Sequence, residues 1–381
     1  MKRSHLVVLA LLIAIPCRGT LMAQTCVGGT AKCITGANGG DCSSIGTWSA
    51  ASKTCKLAGD LTGKAIEIAG DDVTLDGGGH VLRGVTTEGV PQPWGIYLDQ
   101  RSGVTITNLV VRGFQAGIEL RSSARCAVAN NTVNDSARVG IELLESNHNR
   151  IDDNTVRSAG DGILLRQSAD NTLAGNRAES NRNSGILLNT GSTGNTVSGN
   201  IAKLNAGGIA LGGASSRNTL RDNDVMENHR LGVAVYFDSN DNVVLGNRIS
   251  NNAEGVENGA GVLLMQASGN HFTDNTVAGN SRGIWLSYPE GDAYLGGGNE
   301  VYHNNFIDNP IQALVTGWRS APDAFSKQAP IGGNFWGNWT SPDADHDGLV
   351  DSAYLINGAG DNLPWKMKDG WTISADPTHP K

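Results

Sequence analysis

Gly185-Ile-Leu-Leu188 is followed by Asn195-Thr-Val-Ser-Gly-Asn200-Ile-Ala-Lys-Leu-Asn205, and both phrases return as Gly208-Ile-Ala-Leu211 and Asn218-Thr-Leu-Arg-Asp-Asn223-Asp-Val-Met-Glu-Asn228. Working outward, the tetrad Gly-Ile/Val-x-Leu/Val begins at Gly95, Gly117, Gly140, Gly162, Gly185, Gly208, Gly232, Gly261 and Gly283, at spacings of 22, 23, 22, 23, 23, 24, 29 and 22 residues. The asparagine phrase comes back at Asn242, Asn247 and Asn252, at Asn270, Asn275 and Asn280, and at Asn299, Asn304 and Asn309. A fixed period of this length marks an array of stacked units, none of which buries its apolar face alone.

The apolar residues lie two apart in the tetrad or singly between asparagines, the period of short strands with one buried face. Asparagine every five residues marks tight turns, because its side chain bonds nearby backbone and tolerates left-handed dihedrals. Stacked units then align the asparagines into ladders and Ile/Leu into columns. No proline falls between Pro93 and Pro289, as expected where nearly every N–H is given to the next coil. A propeller blade needs about 40 residues and a leucine-rich repeat needs helical or 3₁₀ segments. The pattern predicts an all-β chain: one right-handed parallel β-helix of about 9 to 11 rungs, each rising about 4.8 Å, with caps over its raw N- and C-terminal edges.

Lys2 and Arg3, the apolar run 6–15 and the small-residue stretch ending at Ala23 read as a secretory signal peptide over 1–23. Without Lys2, Arg3 and Arg18, the 29 basic residues fall to 26 against 37 acidic, a net charge of −11. That balance argues against nucleic acid and anionic membranes as partners, and is awkward for an acidic polysaccharide unless calcium or a local basic patch intervenes. Cys26, Cys33, Cys42 and Cys55 crowd into one segment and predict two disulfides in a cap over 24–56, with three connectivities open. Their spacing lacks the close pairs of zinc modules. Cys126 takes the first asparagine slot of its rung and is expected as a buried free thiol. The coil should occupy 57–320 and a C-terminal cap 321–381.

Val73-Thr-Leu-Asp-Gly-Gly-Gly-His80 resembles the opening of many secreted right-handed β-helix proteins. Gly333-Asn-Phe-Trp-Gly-Asn-Trp339, the run Asp343 to Asp351, and Asp361-Asn-Leu-Pro-Trp365 are similar to the closing segment of the NosD-like family. The resemblance implies a periplasmic or secreted protein that either handles polysaccharide or assists copper-site assembly. Copper finds no support in the residues themselves: the histidines sit at different phases of the repeat, and no Cys-x-x-Cys or Met-rich run is present.

Three clusters carry candidate chemistry. Asp343, Asp345, Asp347 and Asp351, with Gly348, match the first nine positions of a calcium loop. Position twelve is Tyr354, so Asp361 or Asn362 is the nearest source of a further ligand; structural calcium in the cap is expected. At the outward third tetrad position, Glu119 and Glu142 stand one strand spacing apart, near the carboxylate separation of retaining glycosidases, with Arg121 and Arg166 close by. The alternative is a Glu/Arg ladder that keeps the rod soluble. Tyr236, Phe237, Met265, Trp285 and Tyr288 fall at neighbouring outward positions suited to stacking on sugars, walled by the insert 253–260 and the loop 288–298. The expectation is a monomer, without membrane insertion, that binds or processes a glycan on its outer face. Among enzymes, a lyase, hydrolase or C5-epimerase of polysaccharide would suit this architecture.

Overall fold

The computed structural model describes residues 26, 31–288, 296–317 and 319–373. The expected signal peptide lies outside them. Three parallel walls of short strands wind around one apolar core. The tetrads form the first wall, from Val90–Asp99 through Phe114–Arg121, Val139–Leu144 and successive coils to Arg282–Ser287. The residues flanking the first and second asparagines of each phrase make the second and third walls, for example Thr196–Ser198 and Ile201–Lys203. Each wall reaches twelve strands along its path because the caps join it. Lys32–Ile34 pairs parallel with Ile66–Ile68 at one end, and Ile311–Thr316 pairs with Arg282–Ser287 at the other.

Register is set by the inward residues. Ile118, Ile141, Ile163, Ile186 and Ile209 stack in one column, each no more than 1 % exposed. A slip of one residue would turn them all to the outer face, so the register has no competitor.

The corners hold polar ladders. The backbone N–H and Nδ2 of Asn200 donate to Asn223 Oδ1 at 2.9 and 3.0 Å, and Asn223 repeats both bonds to Asn247 at 2.9 Å. The same chain runs through the first and third asparagine slots, and a serine ladder from Ser123 to Ser239 lines a further corner. Here one expectation is corrected. The left-handed residue of each turn is the one before the asparagine, as at Gly199 (φ 62°), Asp222 (φ 55°) and Gly246 (φ 65°). Asparagine is required for the ladder, where its amide both accepts and donates.

Every ladder bond points the same way, so the C-terminal ends need acceptors. Asp323 receives Asn299 and Asp361 receives Asn334, while Gln312 Oε1 accepts from Asn309. The amide dipoles turn their positive ends toward these carboxylates, a favourable arrangement. Cys126 is 2 % exposed and free, as expected; its N–H joins the ladder by donating to Asn149 Oδ1 at 2.9 Å.

The cysteines pair as Cys26–Cys33 and Cys42–Cys55. Gly46–Ser49 runs antiparallel to Thr54–Leu57, which straddles the expected cap boundary and begins the second wall's parallel run. At the other end Trp336 is stacked between Phe306 and Tyr354, with ring centroids 4.6 and 4.2 Å away.

Candidate functional site

Successive residues of a strand point to opposite faces, so the inward Ile118 and Leu120 send Glu119 and Arg121 outward. In-register pairing then builds an outer column on the first wall: Tyr97, Glu119, Glu142 and Leu164. Glu67 stands before Tyr97. Glu67 falls outside the tetrad pattern because its rung reads Ala65-Ile-Glu-Ile68, with alanine in the glycine slot. Outward does not mean solvated: Glu119 is 7 % and Glu142 1 % exposed.

The cover is arginine. Arg166 sends Nε and Nη2 onto Glu142 Oε1 at 3.0 and 2.7 Å. Arg138, from the corner leading into the wall, bridges Glu142 Oε2 and Glu119 Oε2, the latter at 3.1 Å. Arg121 approaches Glu119 Oε1 at 3.6 Å. Sequence reasoning found Arg121 and Arg166 but missed Arg138, which lies outside the tetrad; its position four residues before Glu142 was the available signal. Burial, then the charge of Glu142, raises the Glu119 carboxyl above its usual range. Asp161, one rung beyond Glu142, is raised by burial too. Both glutamates are thus brought together as expected, yet each is already occupied by guanidinium groups. A nucleophile must reach its substrate, and Glu142 does so only if Arg138 and Arg166 withdraw.

Beyond Leu164 the column continues through Leu187, Ala210, Ala234 and Leu263 to Trp285. Tyr236 pairs in register with Met265 beside it, and Phe237 is 49 % exposed. Trp285 Nε1 donates to Thr316 Oγ1 at 2.9 Å, and the Arg282 guanidinium lies 5.1 Å from its ring centroid. Arg282 also donates to the carbonyls of Glu257 and Gly259, so the insert does flank this end. Residues 289–295 of the second expected wall lie outside the described residues.

Tyr288 is a correction. It is 3 % exposed, and its hydroxyl, held 2.9 Å from Asp323, helps close an asparagine ladder. The residue follows the last outward serine of its strand and turns into the corner. A second aromatic pair, missed in the sequence, stands at the opposite end of the face: Trp94 and Tyr97, with ring centroids 4.8 Å apart.

In the cap, ligand oxygens of Asp343, Asp345 and Asp347 lie within 4.8 Å of one another. Asx-type bonds shape the loop: Asp343 Oδ2 accepts from Gly348 N–H at 3.1 Å, and Asp347 Oδ1 from Leu349 N–H at 2.8 Å. Asp343 Oδ1 is buried with no partner. Asp351 departs from expectation: it stands outside this group, its carboxylate accepting from Ala344 N–H at 2.7 Å. Asp361 departs further, for it is fully buried at the ladder end, accepting from Trp336 Nε1 and Leu363 N–H. Burial pushes its carboxyl up to about 6.

Residues 94–235 match the family model of the right handed beta helix region, and residues 190–341 match that of the periplasmic copper-binding protein NosD. No curated protein matches the chain in sequence. Among solved structures, the Dettilon tailspike protein is similar with a TM-score of 0.55 at 16% identity, over 68% of this chain and 61% of its own. The A-module of the mannuronan C-5 epimerase AlgE6 of Azotobacter vinelandii is similar over 73% of this chain and 85% of its own, at 14% identity and a TM-score of 0.48. DFA-IIIase from Arthrobacter chlorophenolicus A6, in complex with GF2, is similar over 76% and 86%, at 14% identity and a TM-score of 0.48. At such identities the structural likeness establishes fold alone. Coil geometry and ladders agree with the two family matches: the chain is a right-handed parallel β-helix protein, similar over residues 190–341 to the NosD family.

Proposed function

We propose that the protein is exported and binds a polysaccharide along the outer face of its first wall. The observation that carries this reading is the layout of that face. Aromatic rings stand at both ends, Trp94 and Tyr97 against Tyr236 and Trp285; between them Glu119 and Glu142 lie under arginines, and from Leu164 to Leu263 the outward side chains are apolar or small. Sugars offer apolar ring faces to such rings and hydroxyls to the polar rim, the usual composition of a ligand site. Two disulfides fit an oxidising compartment. No helix among the described residues is long and apolar enough to cross a membrane.

Binding without turnover is favoured over catalysis, because Glu119 and Glu142 are held by three arginines. Affinity electrophoresis through gels containing neutral or acidic polysaccharides, with mass spectrometry of the incubated glycans, tests both halves. Retardation with intact glycan is expected; shortened, unsaturated or epimerised products would move the reading to an enzyme.

The cap loop is proposed to hold calcium, through Asp343, Asp345 and Asp347, as a structural clip. The unpartnered Asp343 Oδ1 supports this. Carboxylate oxygens suit a hard cation, whereas copper prefers imidazole or sulfur. Among the described residues, that all-carboxylate group is the one set of three or more suited to share an ion.

A further inference from the structure

The glycan-binding reading leaves open which sugar the face selects. Midway along it, the outward row beside the Glu119 column reads Asp161, Ser184, Gly207 and Leu231 on successive rungs. One side chain is missing from that row, and the gap is a notch of about 300 Å³ lined by Asn183, Ser184, Gly207, Ala210, Arg230 and Tyr236. A methyl group built on Gly207 would meet only Ser184 Oγ, at 3.8 Å, so the space is open outward. Gly212 shapes the side wall: a Cβ there would come within 2.4 Å of the Tyr236 ring, so glycine lets the ring lie back along the wall.

The charge of the notch stands apart from the rest of the face. Arg121, Arg138 and Arg166 are bound to glutamates, and Arg282 is bound to main-chain carbonyls. Arg230 is exposed and, among the described residues, meets neither a carboxylate nor a carbonyl. An exposed guanidinium beside hydroxyl and amide groups, in a hollow walled by an aromatic ring, matches one ring-shaped polyol bearing an anion. It is the one basic side chain of the notch, on a chain of net charge −8.

We infer that the Gly207 notch is a subsite for a single anionic sugar unit, with Arg230 meeting its carboxylate or sulfate. The inference rests on the glycan-binding reading and names the substrate class of that face. Affinity electrophoresis is run in gels of polygalacturonate, dextran sulfate and neutral dextran, using the wild-type chain, Arg230→Gln and Gly207→Val, with melting temperatures as the control for folding. The wild type should be retarded more by an anionic polymer than by dextran. Arg230→Gln should weaken that retardation about tenfold while leaving the dextran result unchanged, and whichever anionic gel shows the loss identifies carboxylate or sulfate. Gly207→Val, which fills the notch without left-handed strain, should weaken binding of the same polymer. Equal retardation of wild type and Arg230→Gln in all three gels overturns the subsite and leaves the glycan face standing. A wild type that passes all three gels unretarded overturns both.

Discussion

The corners of the coil and the outer face of its first wall are built by the same device, one side chain repeated at each rung, yet they end differently. In the Asn200–Asn223–Asn247 ladder every amide group has its partner and Asp361 supplies the last acceptor, as Asp323 and Gln312 do for the ladders of the other two slots. On the outer face the column changes character as it runs, from guanidinium-covered glutamates to small floor residues to tryptophan, and Arg230 is left over. A closed column costs much to open; an unfinished one leaves groups free to meet a ligand, which is what the glycan proposal assigns to this face.

The largest expected effect lies in a closed column. Asn223→Ala would strip partners from the N–H and Nδ2 of Asn200, the carbonyl of Val197 and Asn247. Several buried groups left unmet should cost about 4 kcal/mol, read from denaturant unfolding. Arg230→Gln, beside the unfinished column, should change stability by less than about 0.5 kcal/mol. Equal losses would erase the distinction.

Asp361→Asn comes next. Asp361 Oδ2 accepts three donors and Oδ1 accepts Leu363 N–H at 3.1 Å, so an amide Nδ2 in the Oδ1 place faces another donor. A loss of about 2 kcal/mol at pH 7 is expected. The pH profile gives the sign. With the folded carboxyl at about 6, above its unfolded value of 3.8, the folded state holds this proton more tightly. Stability from this group is therefore greatest at low pH and declines as pH rises from about 4 to 6, by about 3 kcal/mol. The asparagine variant should lack that decline.

Cys126→Asn should act in the opposite direction, by completing a column. The thiol sits in an asparagine slot and offers only weak contacts, 3.4 Å from the Ala124 carbonyl and 3.9 Å from that of Arg101. Completing the ladder should stabilise the coil by about 1 kcal/mol, measured in the same unfolding assay. The smallest expected change is in the cap: millimolar calcium should raise its melting temperature by a few degrees, and Asp345→Asn should abolish the rise.

Whatever repeats was legible. Period, strand positions, ladders and the buried Cys126 follow from spacing alone, because each rung imposes the same steric and hydrogen-bonding demands. Glu119 and Glu142 were found for that reason. Features belonging to one rung were not: Arg138 reaches in from a corner, Tyr288 closes a ladder instead of facing solvent, and Asp361 belongs to an asparagine column 27 residues upstream instead of to the calcium-like loop. The left-handed turn residue was assigned one position late, since glycine, aspartate and asparagine share the preference and only the ladder separates them.

The central claim is that a glycan lies on the first wall between its aromatic ends. Hydroxyl-radical footprinting of the free protein and of protein saturated with a retarded polysaccharide tests it most directly. A glycan on this face should protect Tyr236, Phe237, Met265 and Trp285, with the exposed cap residues Leu355 and Met367 unchanged. Protection confined to the cap or to the other walls, with these four oxidised as before, would contradict it.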